Sequence, residues 1–294
     1  MRLFDRLLLS AYYYASYPSR ALTHMRLRSA GRWPVIILFY HRIADDRANP
    51  WTASNRTFER QIHWMRKRFD MISLSEAQRR IRSGVNHRPS VAITFDDGYA
   101  DNCDAALPLL VHEQIPCTYF VTTSNILEGT PFVHDVALGR PLRPNTPQQI
   151  RELARCGIEI GAHTRTHADL GAITDPQRLY DEIVQAKIEL EQLVDMPIPY
   201  FAFPYGQHAN LSAAAFELAR RAGYEGVCSA YGGFNFPGDD AFHLQRIHAD
   251  DDMIRLKNWT SLDPRKLALV RRFEYGPLTV PDSELVLAAQ GACT

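Results

Sequence analysis

The chain alternates short apolar runs with longer segments of helical periodicity, and this rhythm constrains its fold more than any other feature. The apolar runs are 35–40, 91–95, 118–121, 158–161, 200–203, 226–229 and 244–247. Helix candidates lie between them at 55–69, 73–82, 101–113, 146–156, 175–194 and 209–222. Strands that alternate with helices form a mainly parallel sheet. Six or seven such units predict a closed or nearly closed α/β barrel, with a doubly wound open sheet as the alternative.

No internal repeat or flexible linker divides this pattern, so we expect one main domain over 33–262. An N-terminal arm, 1–32, precedes it. A C-terminal tail, 263–294, follows it and loses the strand and helix rhythm at its prolines. The segment 123–150 is rich in proline and polar residues, and we interpret it as an inserted loop that caps a site.

The arm has an apolar run and several arginines, so it is amphipathic: Arg2, Arg6, Arg20, Arg26, Arg28 and Arg32. Peripheral contact with a membrane surface is one interpretation, and a helix docked on the domain is the simpler alternative. The arm has no small-residue cleavage site, and no run in the chain approaches the roughly 18–20 apolar residues of a membrane span. We therefore expect a location in the cytoplasm or at the inner face of the membrane.

Charge and cysteine content exclude several classes of protein. Lys plus Arg and Asp plus Glu both number 33, so there is no global positive field to attract nucleic acid. The five cysteines are odd in number and form no C-x-x-C pair. They indicate neither a disulfide framework nor a cysteine zinc site.

Polar residues suited to catalysis follow the ends of five predicted strands. They are His41, the pair Asp96 and Asp97, the pair His163 and His167, the pair Pro204 and Tyr205, and His248. The carboxyl ends of parallel strands meet at one edge of the sheet, where α/β proteins build their active sites. The sequence therefore predicts one site at that edge.

His163 and His167 are four residues apart, so on one helical turn or in a tight loop both rings can face one ion. With Asp97 they form a two-histidine, one-carboxylate set that leaves coordination positions open. Asp96 is then a candidate general base. Two surface histidines and an aspartate that caps a helix are the structural alternative, but a cap accounts for only one of the two aspartates.

Three motifs, 94–99 (TFDDGY), 163–167 (HTRTH) and 203–206 (FPYG), resemble in order and spacing the polysaccharide deacetylases with a NodB homology domain, carbohydrate esterase family 4. The resemblance implies a distorted (β/α) barrel of about seven parallel strands and a divalent metal, commonly zinc. It also implies hydrolysis of an acetyl group from a glycan, usually the N-acetyl of a hexosamine. By position, Asp97, His163 and His167 resemble the metal ligands, Asp96 the general base, and the backbone N–H of Tyr205 the oxyanion donor.

The chain departs from this family at two places. Many members have an arginine that orients the base where this chain has Ala202, so the sequence names no partner for Asp96. The last motif is matched loosely by 246–248, which makes His248 the candidate general acid and His243 a weaker one. His41, Pro204 and Tyr205 are expected to contact the substrate.

Three functions are consistent with these residues. The first is a metal-dependent deacetylase acting on a polysaccharide or glycan precursor. The second is a hydrolase of small cyclic or formyl amides built on the same barrel. The third is a glycan-binding protein without turnover, which the absent arginine would explain.

Overall fold

The computed structural model describes residues 3–269 and 272–276. The strands in this part of the chain are β1 (Val35–Tyr40), β2 (Arg42–Ile43), β3 (Thr52–Ala53), β4 (Asp70–Ile72), β5 (Ser90–Phe95), β6 (Cys117–Val121), β7 (Glu159–Ala162), β8 (Tyr200–Ala202), β9 (Gly226–Ser229), β10 (His243–Gln245) and β11 (Ile247–His248). The helices that flank the barrel are α3 (Asn55–Arg66), α4 (Leu74–Arg82), α5 (Ala106–His112), α8 (Pro147–Arg155), α9 (Pro176–Tyr180), α10 (Ala186–Val194) and α11 (Ala213–Arg221). The remaining helices are α1 (Leu3–Ala15), α2 (Tyr17–Ser29), α6 (Thr123–Glu128), α7 (Val133–Ala137), α12 (Met253–Thr260) and α13 (Pro264–Leu269).

The main sheet is parallel throughout and closes on itself. Its order is β10-β9-β8-β7-β6-β5-β1-β11, and only Arg246 separates β10 from β11 along the chain. Leu38 of β1 lies opposite Ile247 of β11, so the last strand returns to the first. The predicted barrel is confirmed, and the open sheet is not what forms. Within the described residues this sheet has nine strands rather than about seven, because β4 pairs with the first half of β5 and the predicted run 244–247 divides into β10 and β11.

The period-two alternation of the strands separates two buried layers. In β1, Ile36 and Leu38 pack in the cluster that contains the flanking helices, whereas Val35 and Ile37 belong to a second cluster inside the barrel. Helix α4 joins that inner cluster and covers the N-terminal ends of the strands. Gln78 of α4 donates to the carbonyls just before β9 and β10. The opposite, C-terminal end of the barrel is left for the site.

The N-terminal arm docks on the domain through α12 and α13. The buried Arg20 side chain donates to Asn258 Oδ1 at 2.6 Å, and the Tyr12 hydroxyl donates to Asp263 Oδ1 at 2.7 Å. No helix within residues 3–269 is long and apolar enough to cross a membrane. The predicted tail continues as α13 and as residues 272–276, where Tyr275 stacks on Phe216. The rest of the tail, including Cys293, lies outside the described residues.

Candidate active site

Three predicted metal ligands come together at the C-terminal end of the barrel. Asp97 follows β5, and His163 and His167 follow β7. Asp97 Oδ1 lies 3.5 Å from His163 Nε2 and 3.2 Å from His167 Nε2. One ligand atom from each residue falls within 4.8 Å of the other two. The set predicted from the sequence is therefore assembled in space.

The chemistry of these three side chains fits a divalent cation. His163 Nδ1 donates to the Ala202 carbonyl at 2.8 Å, which leaves the Nε2 lone pair directed at Asp97. Asp97 Oδ1 is buried and has no hydrogen-bond partner among the described residues. Burial alone would raise the pKa of Asp97, but His163 and His167 hold it well below its usual value. An ionised oxygen beside two imidazole nitrogens is a donor set that suits zinc and similar ions.

Strained backbone surrounds this triad. Asp97, Thr164, His167 and Tyr205 all have positive φ, between 60° and 74°. The left-handed conformation costs residues other than glycine roughly 1–2 kcal/mol, and residues held in it cluster at functional sites. The two histidines therefore sit on a tight loop rather than on a helical turn.

Glu182 holds that loop in place. One carboxylate oxygen accepts the backbone N–H groups of Arg165 and Thr166 at 3.0 and 2.9 Å, and the other accepts the Thr166 hydroxyl at 2.5 Å. Glu182 lies on the π-helical segment Asp181–Gln185 between α9 and α10 and is almost fully buried. Glu182 therefore supports the loop between the two histidines. The sequence did not predict this contact, because it spans a whole helical segment.

Asp96 forms a buried ion pair with Arg246. The two guanidinium nitrogens donate to the two carboxylate oxygens at 2.6 and 2.8 Å. Arg246 also donates to Thr94 Oγ1 and to the Ser229 carbonyl. Its guanidinium lies between the rings of Phe39 and Phe120, 4.8 and 5.2 Å from their centroids.

This pair supplies the partner that the sequence did not name. Burial raises the pKa of Asp96, but the charge and hydrogen bonds of Arg246 together with the nearby His163 and His41 outweigh burial, so the net pKa is lowered and Asp96 is a carboxylate. Ala202, at the family's usual arginine position, lies in the same inner cluster as Phe120, one of the rings that sandwich the Arg246 guanidinium. The available sequence signal was Arg246 itself, a charged residue within the predicted strand 244–247.

A cavity of about 320 Å³ opens onto these groups. It is lined by Phe39, His41, Trp51, Asp96, Asp97, His134, His163, His167, Phe203, Tyr205, Gln207, Ala230 and His248. Every predicted site residue lines it except Pro204 and the weaker acid candidate, His243. Pro204 is buried behind the wall, where its carbonyl accepts the Gly206 N–H at 2.6 Å and so shapes the turn that presents Tyr205. Pro204 is therefore not part of the cavity lining, and its contact with substrate stays a prediction.

The Tyr205 turn exposes a backbone donor to the cavity. Within residues 3–269 and 272–276, the Tyr205 N–H donates to no protein acceptor. Its ring packs edge-on to His167, with centroids 5.2 Å apart. A free N–H beside a metal ligand matches the requirement for an oxyanion donor. His243, the weaker candidate acid, is instead buried with Nε2 2.8 Å from Ser229 Oγ and does not line the cavity.

The inserted segment 123–150 contributes His134 to the cavity wall, which the sequence did not predict. The Tyr99 hydroxyl donates to Asp135 Oδ2 at 2.7 Å, and Asn49 donates to the other oxygen of that carboxylate. The Tyr99 oxygen is therefore free to accept a hydrogen bond from His134 Nε2, 2.9 Å away. This arrangement leaves the His134 Nδ1 lone pair available to a hydroxyl donor.

Comparisons with known proteins find similarity to polysaccharide deacetylases. The polysaccharide deacetylase family model matches residues 83–227. YxkH of Bacillus subtilis, a protein assigned to the polysaccharide deacetylases, is 25% identical over 221 residues, which cover 74% of this chain and 72% of that protein. A chitooligosaccharide deacetylase of Bradyrhizobium is 29% identical over 132 residues, 44% of this chain and 52% of its own length.

Solved structures share the fold. The deacetylase PplD of Streptococcus pyogenes superposes with a TM-score of 0.64 at 21% identity and covers 79% of this chain and 99% of its own. The barrel, the three sequence motifs and the family match point to the same family. Over residues 83–227 this chain matches the polysaccharide deacetylases, a family of hydrolases.

Proposed function

We propose that this protein is a metal-dependent deacetylase that removes acetyl groups, and specifically the N-acetyl of a hexosamine, from a polysaccharide or glycan precursor. The observation that carries the proposal is the adjacency of an ionised, arginine-held Asp96 to the Asp97, His163 and His167 triad at the base of one cavity. The similarity to a chitooligosaccharide deacetylase supports the choice of substrate.

The residues divide the reaction between them. Asp97, His163 and His167 would hold a divalent ion, which would supply Lewis acidity: it would lower the pKa of a water molecule toward about 7 and polarise the acetyl carbonyl. Asp96 accepts the proton of the attacking water, and Arg246 fixes its orientation. The Tyr205 N–H donates to the oxygen of the tetrahedral intermediate.

A general acid must then protonate the departing amine, and two histidines compete for that role. His248, the acid predicted from the sequence, has Nδ1 3.7 Å from Asp250 Oδ1. Burial lowers the pKa of His248, and the Asp250 carboxylate offsets only part of that effect. His41 stands beside His248, with ring centroids 5.7 Å apart, and experiences the charges of both Asp96 and Asp97. Burial, however, lowers the pKa of His41 to about 4.

Two single variants separate these histidines. Loss of the true acid lowers the rate on an N-acetyl glycan by about 10²–10⁴-fold. The same variant keeps its rate on an aryl acetate ester, because a phenolate leaves without being protonated. We therefore compare His41→Ala with His248→Ala on both substrates. His248 is excluded as the acid if only His41→Ala shows this selective loss.

The cavity rim suits a sugar better than a small amide. Trp51 and Tyr205 are both exposed at the rim, where their rings offer faces to the apolar patches of a pyranose. The glycan-binding alternative rested on the absence of an arginine to orient Asp96. Arg246 supplies that guanidinium, so this argument for the alternative no longer holds. Neither alternative is favoured by an observation of its own.

The test is acetate release from acetylated chitooligosaccharides by metal-stripped protein, with and without added zinc. We expect zinc-dependent release that disappears in Asp96→Asn and His163→Ala. Asp104→Asn, an exposed aspartate outside the cavity, is the matched control and should retain full activity. Stoichiometric zinc binding without release from any acetylated glycan would refute the proposal.

A further inference from the structure

Helix α1 carries an exposed apolar stripe that the docking of the arm leaves uncovered. Phe4, Leu7 and Leu8 are 68%, 60% and 55% exposed, and Tyr14 extends the stripe at helical spacing. Tyr12, one helical turn after Leu8 on the flank of the stripe, bonds to Asp263 of the domain. Docking therefore fixes the helix and directs this stripe outward.

Helix α2 also carries exposed apolar side chains, and it adds positive charge. Its outward side chains include Tyr17, Leu22 and Met25, all exposed, whereas Arg20 and His24 are bonded to the α12–α13 region. Arg26, Arg28 and Arg32 are also exposed at its C-terminal end. Within the described part of the chain, none of these three arginines forms an ion pair with a carboxylate.

We propose that α1 and α2 form a docking surface for an anionic lipid bilayer, with the apolar stripe at the acyl boundary and the arginines on the headgroups. Apolar side chains on one face of a helix, accompanied by arginines, are typical of helices that lie in the membrane interface. Unpaired arginines beside a bilayer gain from anionic headgroups.

A second copy of the chain fits this surface less well. A twofold interface brings the same patch of both subunits together, so the unpaired arginines of α2 would face a surface of the same sign. The cores of protein interfaces are also depleted in charged residues. A bilayer has neither conflict.

The α1 end of this surface lies beside the catalytic end of the barrel. Arg6 of α1 pairs with Asp252 at 3.5 Å, and Asp252 is the N-cap residue of α12. The cavity residue His248 is only four positions earlier in the chain. The start of α1 therefore lies nearest the cavity, whereas Arg28 and Arg32 lie toward the opposite end of the barrel, where the Arg28 carbonyl is 3.0 Å from His87 Nδ1 and Arg32 pairs with Asn86.

Vesicle co-sedimentation of the full chain tests the proposal. Vesicles of phosphatidylcholine alone are compared with vesicles that also contain phosphatidylglycerol, at low and high salt. The variant Leu7→Glu/Leu8→Glu changes two exposed side chains, so it should fold. Val111→Glu/Met196→Glu introduces the same charges at exposed positions outside the arm and is the matched control.

We expect binding to the phosphatidylglycerol vesicles that falls at least tenfold in Leu7→Glu/Leu8→Glu and is unchanged in the control. Arg26→Ala/Arg28→Ala should weaken binding to anionic vesicles and reduce its dependence on salt. Absence of vesicle binding, or equal binding by both glutamate variants, overturns the proposal. So does a wild-type dimer that Leu7→Glu/Leu8→Glu converts to a monomer. Acetate release from a soluble oligosaccharide, measured in parallel, tests the proposed enzyme independently of the membrane.

Discussion

Replacement of Arg246 by methionine removes the only cation that touches the Asp96 carboxylate among the described residues. The variant Arg246→Met keeps an unbranched chain of similar length between Phe39 and Phe120. The carboxylate remains buried, at 2% exposure, without its counter-ion and without two charge-assisted hydrogen bonds. The defect is therefore an uncompensated charge rather than a large cavity.

Removal of one partner from a buried ion pair costs about 3–5 kcal/mol of unfolding free energy. In a domain of this size, that loss lowers the Tm by roughly 10 °C. Removal of both charges, in Asp96→Leu/Arg246→Met, recovers most of the lost stability, because no charge is then left unpaired. Arg246→Lys recovers part of it, since lysine keeps the charge and loses the planar fork.

Thermal and urea unfolding of the metal-free variants at neutral pH measures these differences. The matched control is Arg79→Met, because Arg79 also donates two hydrogen bonds, at 2.6 Å each, to a single carboxylate, that of Glu76. Arg79 is exposed, so its loss should cost less than about 1 kcal/mol. Equal destabilisation by Arg246→Met and Arg79→Met would refute the reasoning, as would a double variant whose loss is the sum of the two single losses.

Three further predictions concern the loop, the cavity wall and the response to acid. Glu182→Gln should weaken zinc binding by roughly 10–100-fold, because the loop that carries two ligands loses its anionic anchor. Chelator competition measures this loss, and Glu128→Gln, at an exposed position, should have no effect. His134→Ala should raise KM for an acetylated oligosaccharide more than it lowers kcat, since it removes a hydroxyl acceptor from the wall, and an unchanged KM contradicts that role. Burial lowers the pKa of His243 to about 4 in the folded protein, below the value of about 6.5 in the unfolded chain. The stability that the neutral His243 ring contributes is therefore complete above about pH 6.5 and falls by about 3 kcal/mol as the pH drops toward 4. Acid unfolding of His243→Gln should lack that loss, and identical pH dependence in both proteins would contradict it.

Much of the fold was readable from the sequence because its signals are local. Each run such as 91–95 carries its own apolar pattern, and the polar residues that follow it lie at a strand end whatever the rest of the chain does. The gathering of Asp97, His163 and His167 follows from parallel strands ending at one edge. Strand β4 was missed because it has three residues, two of them half-exposed, and pairs with only half of β5.

Only the tertiary structure decided which groups complete the site. Arg246 reaches Asp96 across 150 residues of sequence, and closure of the barrel brings the two together. Glu182 supports the histidine loop through a π-helical segment, and His134 enters the cavity from an insertion. The sequence alone determined the elements and the order of the ligands, since neighbouring residues encode periodicity and strand ends. Partners held by long-range packing were invisible in it, because charge pairing inside a barrel depends on distance in space and not on separation along the chain.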